Sequence, residues 1–268
     1  MNAAAGDMNP VLEQIWAHRS IRAYRPEPLD DGLLDEVLEA GLRAASSGNM
    51  QTWSVIVTRD AERRRGLWEL HLRQDMILQA PVVLAFCADF RRMSQWCRQR
   101  GAEPGYDNLL SFLVATGDVF LAAQTAVLAA ESLGLGTCYM GTTLNAMDGL
   151  CGFYGLPPGV VPVTSVVLGW PAEDPAPRLR LPLAGLRHDE RFREYTAEEI
   201  EATYRIRDVE GWARYLAFPE LAARMGRDGI ENLAQVYTRL KYRKPDFDEA
   251  SRRILATLRR QGFMAQDE

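Results

Sequence analysis

Apolar residues recur at helical spacing from Leu33 to Ala45, with Leu34, Val37, Leu38 and Leu42 on one face and Asp30 or Asp31 placed to cap the start. The pattern then changes period. Trp53-Ser54-Val55-Ile56-Val57-Thr58 is rich in β-branched residues and predicts a strand. Glu62 to Arg73 predicts a charged, amphipathic helix. Pro81 to Ala88 is a continuous apolar run, as a strand buried on both faces would be. Residues 91 to 107 are polar and hold Gly101, Pro104 and Gly105, which predicts a loop. A long apolar helix is expected from Asn108 to Leu133, ending at Gly134-Leu135-Gly136. A short strand follows at Thr137 to Met140, a helix at Asn145 to Tyr154, and a strand at Val160 to Trp170 with Pro162 near its start. Beyond Pro171 the periodicity lapses until Thr196, where a charged helical region begins. A last helix runs from about Phe247 to Arg260. Strands interleaved with helices predict an α/β or α+β sandwich.

The 268 residues are 47% apolar and 25% charged, ordinary for a globular chain able to bury a sizeable core. A formal net charge of −5 argues against general nucleic-acid binding. The longest apolar stretch, Val119 to Ala130, is interrupted by Gln124 and is too short to cross a bilayer, so no membrane association is expected. Cys87, Cys97, Cys138 and Cys151 show no paired or zinc-ligand spacing. They are expected to be buried thiols in a reducing, cytoplasmic setting. Met1 to Pro10 carries no signal pattern and is expected to be a loose tail.

His18-Arg19-Ser20-Ile21-Arg22 follows the apolar, helix-like run Val11 to Trp16. Two guanidinium forks, an imidazole and a hydroxyl within five residues suit a phosphate, though basic residues at a helix end also simply face water. Ala45-Ser46-Ser47-Gly48-Asn49-Met50-Gln51 offers exposed backbone, hydroxyls and amides that suit a flat, polar-edged heterocycle; a plain helix-ending loop has the same composition. Arg178-Leu179-Arg180 and Lys241-Tyr242-Arg243-Lys244 are further basic clusters. Gly134-x-Gly136 follows a helix and precedes a strand, the reverse of the dinucleotide-binding order, which argues against a Rossmann reading. His18, His71 and His188 form no metal motif, and no nucleophile motif is present.

Taken in order, these segments resemble the FMN-dependent nitroreductase family, and within it the branch of oxygen-insensitive NADPH nitroreductases and flavin reductase P. The likeness rests on His18 to Arg22, Ala45 to Gln51, Gln79-Ala80-Pro81, Phe86 to Phe90, Ala123-Gln124, Ala129 to Gly136, Tyr139-Met140-Gly141, Leu168 to Pro171, Arg180-Leu181-Pro182 and His188. It covers residues 11 to 190 well and is thinner beyond them, where Gln261-Gly262-Phe263 closes a similar last helix.

The resemblance implies an α+β, three-layer sandwich with a mixed central sheet flanked by helices, forming an intertwined homodimer with FMN at its interface. Residues 11–190 would form the FMN-binding core, and 191–268 a helical extension that embraces the core or the partner and shapes the pocket. His18, Arg19, Ser20 and Arg22 would hold the phosphate and ribityl end, approached by Arg178 and Arg180. Ser46, Ser47 and Asn49 would line the flavin, Gln74 would bond the isoalloxazine edge, and Tyr139, Met140 and Gly141 would pack on the ring. Gly48, Arg224, Arg227, Arg243 and Arg252 are candidates for contacting substrate or NADPH. The implied activity is ping-pong hydride transfer from NADPH or NADH to nitroaromatics, quinones or flavins, carried by FMN rather than by a side-chain catalyst or metal. A dehydrogenation or reductive dehalogenation at the same flavin, and non-catalytic FMN binding, are the rival readings.

Overall fold

A computed structural model describes residues 9–267. They form two compact units. The first runs to Ala176 and resumes at Ala250; the second is Pro177–Glu249. The second unit therefore opens before residue 191, where the sequence puts the extension, and the chain beyond Glu249 returns to the first unit. Most of the tail expected at Met1 to Pro10 lies outside the described residues. Its last two members do not form a tail: Pro10 opens helix α1 (Pro10–Ala17), whose start Asn9 caps through its side chain.

The first unit is built on a sheet of four strands, β1 (Trp53–Thr58), β2 (Val82–Asp89), β3 (Gly136–Met140) and β4 (Val160–Gly169), in the order β1-β2-β4-β3. Every pair is antiparallel. The mixed sheet expected from the resemblance is thus corrected: among the described residues, the parallel element is a single bridge from Ser20 to Thr137 at the edge of β3. Pro162 sits beside a register irregularity in the β2–β4 pairing and beyond the part of β4 that β3 pairs, so its missing N–H breaks no regular ladder.

Alternation along the strands builds three layers. Val82, Leu84, Phe86 and Ala88 of β2 face one core with helices α2 (Asp31–Leu42) and α6 (Leu109–Ser132). Val83 of β2, Cys138 and Met140 of β3 and Val167 of β4 face the other. There they meet helices α3 (Ala61–Leu70), α4 (Met76–Gln79) and α7 (Met147–Tyr154). Gly169 lets the sheet pass close to the loop before β2, since a Cβ there would lie 2.4 Å from Pro81 Cδ. α6 begins at Leu109, so the apolar helix is longer than the Val119–Ala130 stretch. By length and composition it could cross a membrane, yet Ala115, Val119, Ala122, Ala126 and Ala130 are buried against the sheet and α2. It ends with Gly134 in the left-handed region (φ 80°) and Leu135 N–H bonded to Ala130 O, a glycine-terminated cap.

The loop expected at 91–107 is only half right. Arg91–Gln99 forms helix α5, whose polar face hides the helical period apart from the buried Cys97. All four cysteines are buried and free, as expected.

The second unit holds helices α8 (Ala197–Leu216), α9 (Pro219–Arg227) and α10 (Leu233–Gln235), the last continuing as π-helix through Lys241. A capping box of Thr196 and Glu199 starts α8. Met225, Ile230, Leu233 and Val236 form its small core. Helix α11 (Lys244–Arg260) carries the chain back to the first unit.

Candidate active site

The basic cluster leaves α1 and runs beside the start of β3. Ile21 N–H donates to Thr137 O at 2.9 Å, fixing Ser20 to Arg22 along that edge. Gly136 is required there, because a Cβ would lie 2.9 Å from Ile21. A cleft of about 700 Å³ opens alongside, lined in part by Arg19, Arg25, Glu131, Glu173 and Asp174. Its carboxylates already engage the cluster. His18 Nδ1 lies 2.8 Å from Glu131 Oε1. Arg19 pairs with Asp174 at 2.8 Å, an exposed contact of small net worth. The backbone N–H groups of Arg22 and Ala23 both donate to Glu173 Oε1. The Arg22 guanidinium makes only a long bond to Ser20 O at 3.4 Å. Donors suited to a phosphate are therefore assembled, with an acidic segment held against them that a phosphate would displace.

The 46–51 loop is positioned by a residue the sequence reading passed over. Asp118, 1% exposed on α6, accepts from Ser46 Oγ (2.7 Å), Ser47 N (2.9 Å), Thr52 N (3.2 Å) and Thr52 Oγ1 (2.9 Å). Burial alone would raise its pKa, but these bonds outweigh it and hold the carboxyl below its ordinary value. So anchored, the loop carries Gly48, Asn49 and Gln51 in the left-handed region, at φ 57°, 54° and 52°. Two non-glycine residues there store strain of the kind found at ligand clamps, about 1–3 kcal/mol each. The sequence signal was no more than an acid flanking an apolar helical run.

Past the far end of β3, Gly141–Thr143 form a short 3-10 turn. Of its two threonines, Thr142 meets Gln74. Gln74 Nε2 donates to His71 O (3.1 Å) and to Thr142 Oγ1 (3.2 Å). The carbonyl partner fixes which way the amide faces and leaves Oε1 to accept from a ligand. Gln74 reaches this position because Leu72 and Arg73 both adopt φ 57° after α3 ends. Tyr139 and Met140 on β3, with Gly141, border a second cleft of about 330 Å³ that also includes Phe120 and Gln124. Tyr139 O–H donates to Gln124 Oε1 at 3.3 Å, and burial pushes its pKa up.

Arg178 and Arg180 are exposed in the second unit, where Arg180 bonds the carbonyl of Arg178. Arg224 and Arg227 close α9, with Arg224 paired to Asp228. Arg243 forms a two-pronged pair with Asp246. Arg252 is exposed on α11, in the first unit. No group of His, Cys, Asp and Glu able to hold a metal exists among the described residues.

The nitroreductase family model matches residues 15–72 and 68–170, which include the basic cluster, the 46–51 loop and all four strands. The chain belongs to the nitroreductase family. It is an oxidoreductase of α+β fold. It is 35% identical over 242 residues to the FMN reductase [NAD(P)H] of Bacillus subtilis (strain 168), covering 88% of this chain and 94% of that one. A crystal structure from Bacteroides fragilis NCTC 9343 superposes with TM-score 0.86 at 42% identity, over 94% of this chain and 99% of that one. The NADPH:FMN oxidoreductase from Vibrio harveyi, complexed with NAD+, superposes with TM-score 0.71 at 26% identity, over 90% and 98%.

Proposed function

We propose that this nitroreductase-family protein is an FMN-dependent NAD(P)H oxidoreductase that reduces nitroaromatics, quinones or flavins by ping-pong hydride transfer. The observation that carries the reading is the arrangement at the two ends of β3. Guanidinium, hydroxyl and backbone donors gather at Gly136 and Thr137, and an oriented amide with a hydroxyl stands beyond Met140. One suits the phosphate of FMN and the other the alternating donors and acceptors of its pyrimidine edge.

In this reading Arg19, Ser20 and Arg22 bind the phosphate, with His18 oriented by Glu131. Ser46, Ser47 and Asn49 line the ring on the loop that Asp118 anchors, and Tyr139, Met140 and Gly141 back it. FMN supplies the hydride acceptor, so the protein's task is to bind, orient and tune. The resemblance adds Arg178 and Arg180 to this reading as further phosphate-binding candidates. Gly48, Arg224, Arg227, Arg243 and Arg252 contact the nicotinamide nucleotide or acceptor. Arg224 and Arg243 must first exchange their own aspartate partners.

The same reading makes the protein a homodimer. No residue of α1 is buried, although Val11, Leu12, Ile15 and Trp16 are apolar. α6 likewise exposes Leu110, Leu113, Phe120 and Leu121. Apolar surface of this extent supports a protein interface. Four buried free thiols accord with the cytoplasm. Anaerobic titration of the FMN-loaded protein with NADPH and NADH tests the assignment. Flavin reduction, followed by reoxidation on adding a quinone or nitroaromatic, is expected.

A further inference from the structure

His71 is fully buried at the end of α3 and has no place in the proposed chemistry. Its Nδ1 lies 2.7 Å from Thr142 Oγ1, while Nε2 is buried without a partner among the described residues. Burial lowers its pKa to about 4, so the ring is neutral and carries one proton.

The proton can sit on either nitrogen, and the two arrangements are not equal. With the proton on Nε2, a buried N–H donor would be orphaned. With it on Nδ1, only a lone pair is unmatched, which structures tolerate more readily. The Nδ1–H then donates to Thr142 Oγ1, which also accepts from Gln74 Nε2. With both acceptor sites filled, the hydroxyl proton of half-buried Thr142 has no use inside this trio and is left to donate to a ligand, just as the Gln74 amide, whose nitrogen is engaged here, keeps its oxygen to accept from one. An amide oxygen next to a hydroxyl proton presents an acceptor and a donor side by side. That pair complements the ring N3–H of a flavin and the carbonyl next to it.

We propose that the Thr142 hydroxyl donates a hydrogen bond to a flavin carbonyl flanking N3–H, with His71 as the buried positioning residue that turns its proton toward the ring. The assignment rests on the FMN reading above. A donor at that carbonyl stabilises the electron-rich reduced ring more than the oxidised one, so Thr142 raises the midpoint potential as well as tightening binding.

Two measurements test it. The nitrogen-15 spectrum of His71 in the wild-type protein, without FMN, should show the Nδ1-protonated tautomer; an Nε2-protonated ring overturns the proposal. FMN affinity, from flavin fluorescence quenching, and the midpoint potential are then compared across variants. Thr142→Val should bind FMN about fivefold more weakly, the loss of roughly one net hydrogen bond, and shift the potential negative, whereas Thr142→Ser should retain both properties. His71→Asn keeps a donor at the Nδ1 position and should behave as wild type, while His71→Leu should resemble Thr142→Val. Wild-type binding and potential in Thr142→Val would overturn the role of the hydroxyl. Failure of the wild-type chain itself to bind FMN would instead sink the function on which the inference rests.

Discussion

Replacing Asp118 with alanine removes the acceptor of four hydrogen bonds and leaves the N–H groups of Ser47 and Thr52 without their partner. The two hydroxyls can re-aim, but the two amides cannot. The N–H of fully buried Thr52 is stranded at a cost of about 1–3 kcal/mol, water can reach the N–H of exposed Ser47, and charge-assisted bonds are lost besides, so roughly 2–4 kcal/mol of local stability should go. The chain has two compact units, so one global unfolding energy is poorly defined. Amide hydrogen exchange reads the local effect. The sensitive probes are Asn49, Met50 and Asp89, whose N–H groups bond Ser46 O, Ser47 O and Thr52 O and are not themselves touched by the substitution. Their protection should fall on the order of a hundredfold, up to the limit each possesses. The pH dependence has a definite sign. Because the folded pKa lies below the ordinary 3.8, the stabilisation is present above that value and is lost as pH falls through the lower folded one. Asp118→Asn, which does not titrate, should lack this acid-dependent loss. Unchanged protection in Asp118→Ala would refute the claim that this carboxylate holds the loop.

Arg22→Ala should weaken FMN binding about tenfold or more, the worth of a charge-assisted phosphate contact, with little change in thermal stability because the side chain is exposed; equal affinity by fluorescence titration would exclude Arg22 from the phosphate site. Glu173→Gln keeps an acceptor for the Arg22 and Ala23 amides but removes a negative charge, so FMN should bind several-fold more tightly. No gain in the same titration would show that the acidic segment does not compete with phosphate. Leu113→Glu, on the exposed face of α6, should shift sedimentation from dimer to monomer; a dimer of undiminished affinity would place the interface elsewhere.

The helical period made α2 and α6 legible to within a few residues because each buries one face, while β-branched content marked β1 and continuous apolar runs marked β2 and β4, which are buried on both faces. α5 was hidden because it is short and mostly polar, with Cys97 its one fully buried residue. The antiparallel order could not be read from the strands, since buried apolar strands look alike in either direction. For the candidate site, residue type alone picks out the chemically conspicuous side chains, Arg19, Ser20, Arg22 and those of the 46–49 loop. The residues that hold them were not. Asp118, Glu131, Glu173, His71 and Thr142 act across sequence separations of up to 151 residues, and nothing local marks them. A lone buried acid or histidine becomes informative only when the fold brings its partners to it.

The central claim is that this chain holds FMN and passes electrons through it. The most direct measurement is anaerobic titration of the purified, FMN-loaded protein with NADPH and with NADH, following the flavin absorbance. The account predicts bleaching, with one nicotinamide oxidised per flavin reduced, and recovery of the oxidised spectrum on adding a quinone or nitroaromatic. A colourless protein that ignores added FMN, or bound flavin that neither nicotinamide nucleotide reduces, would contradict it.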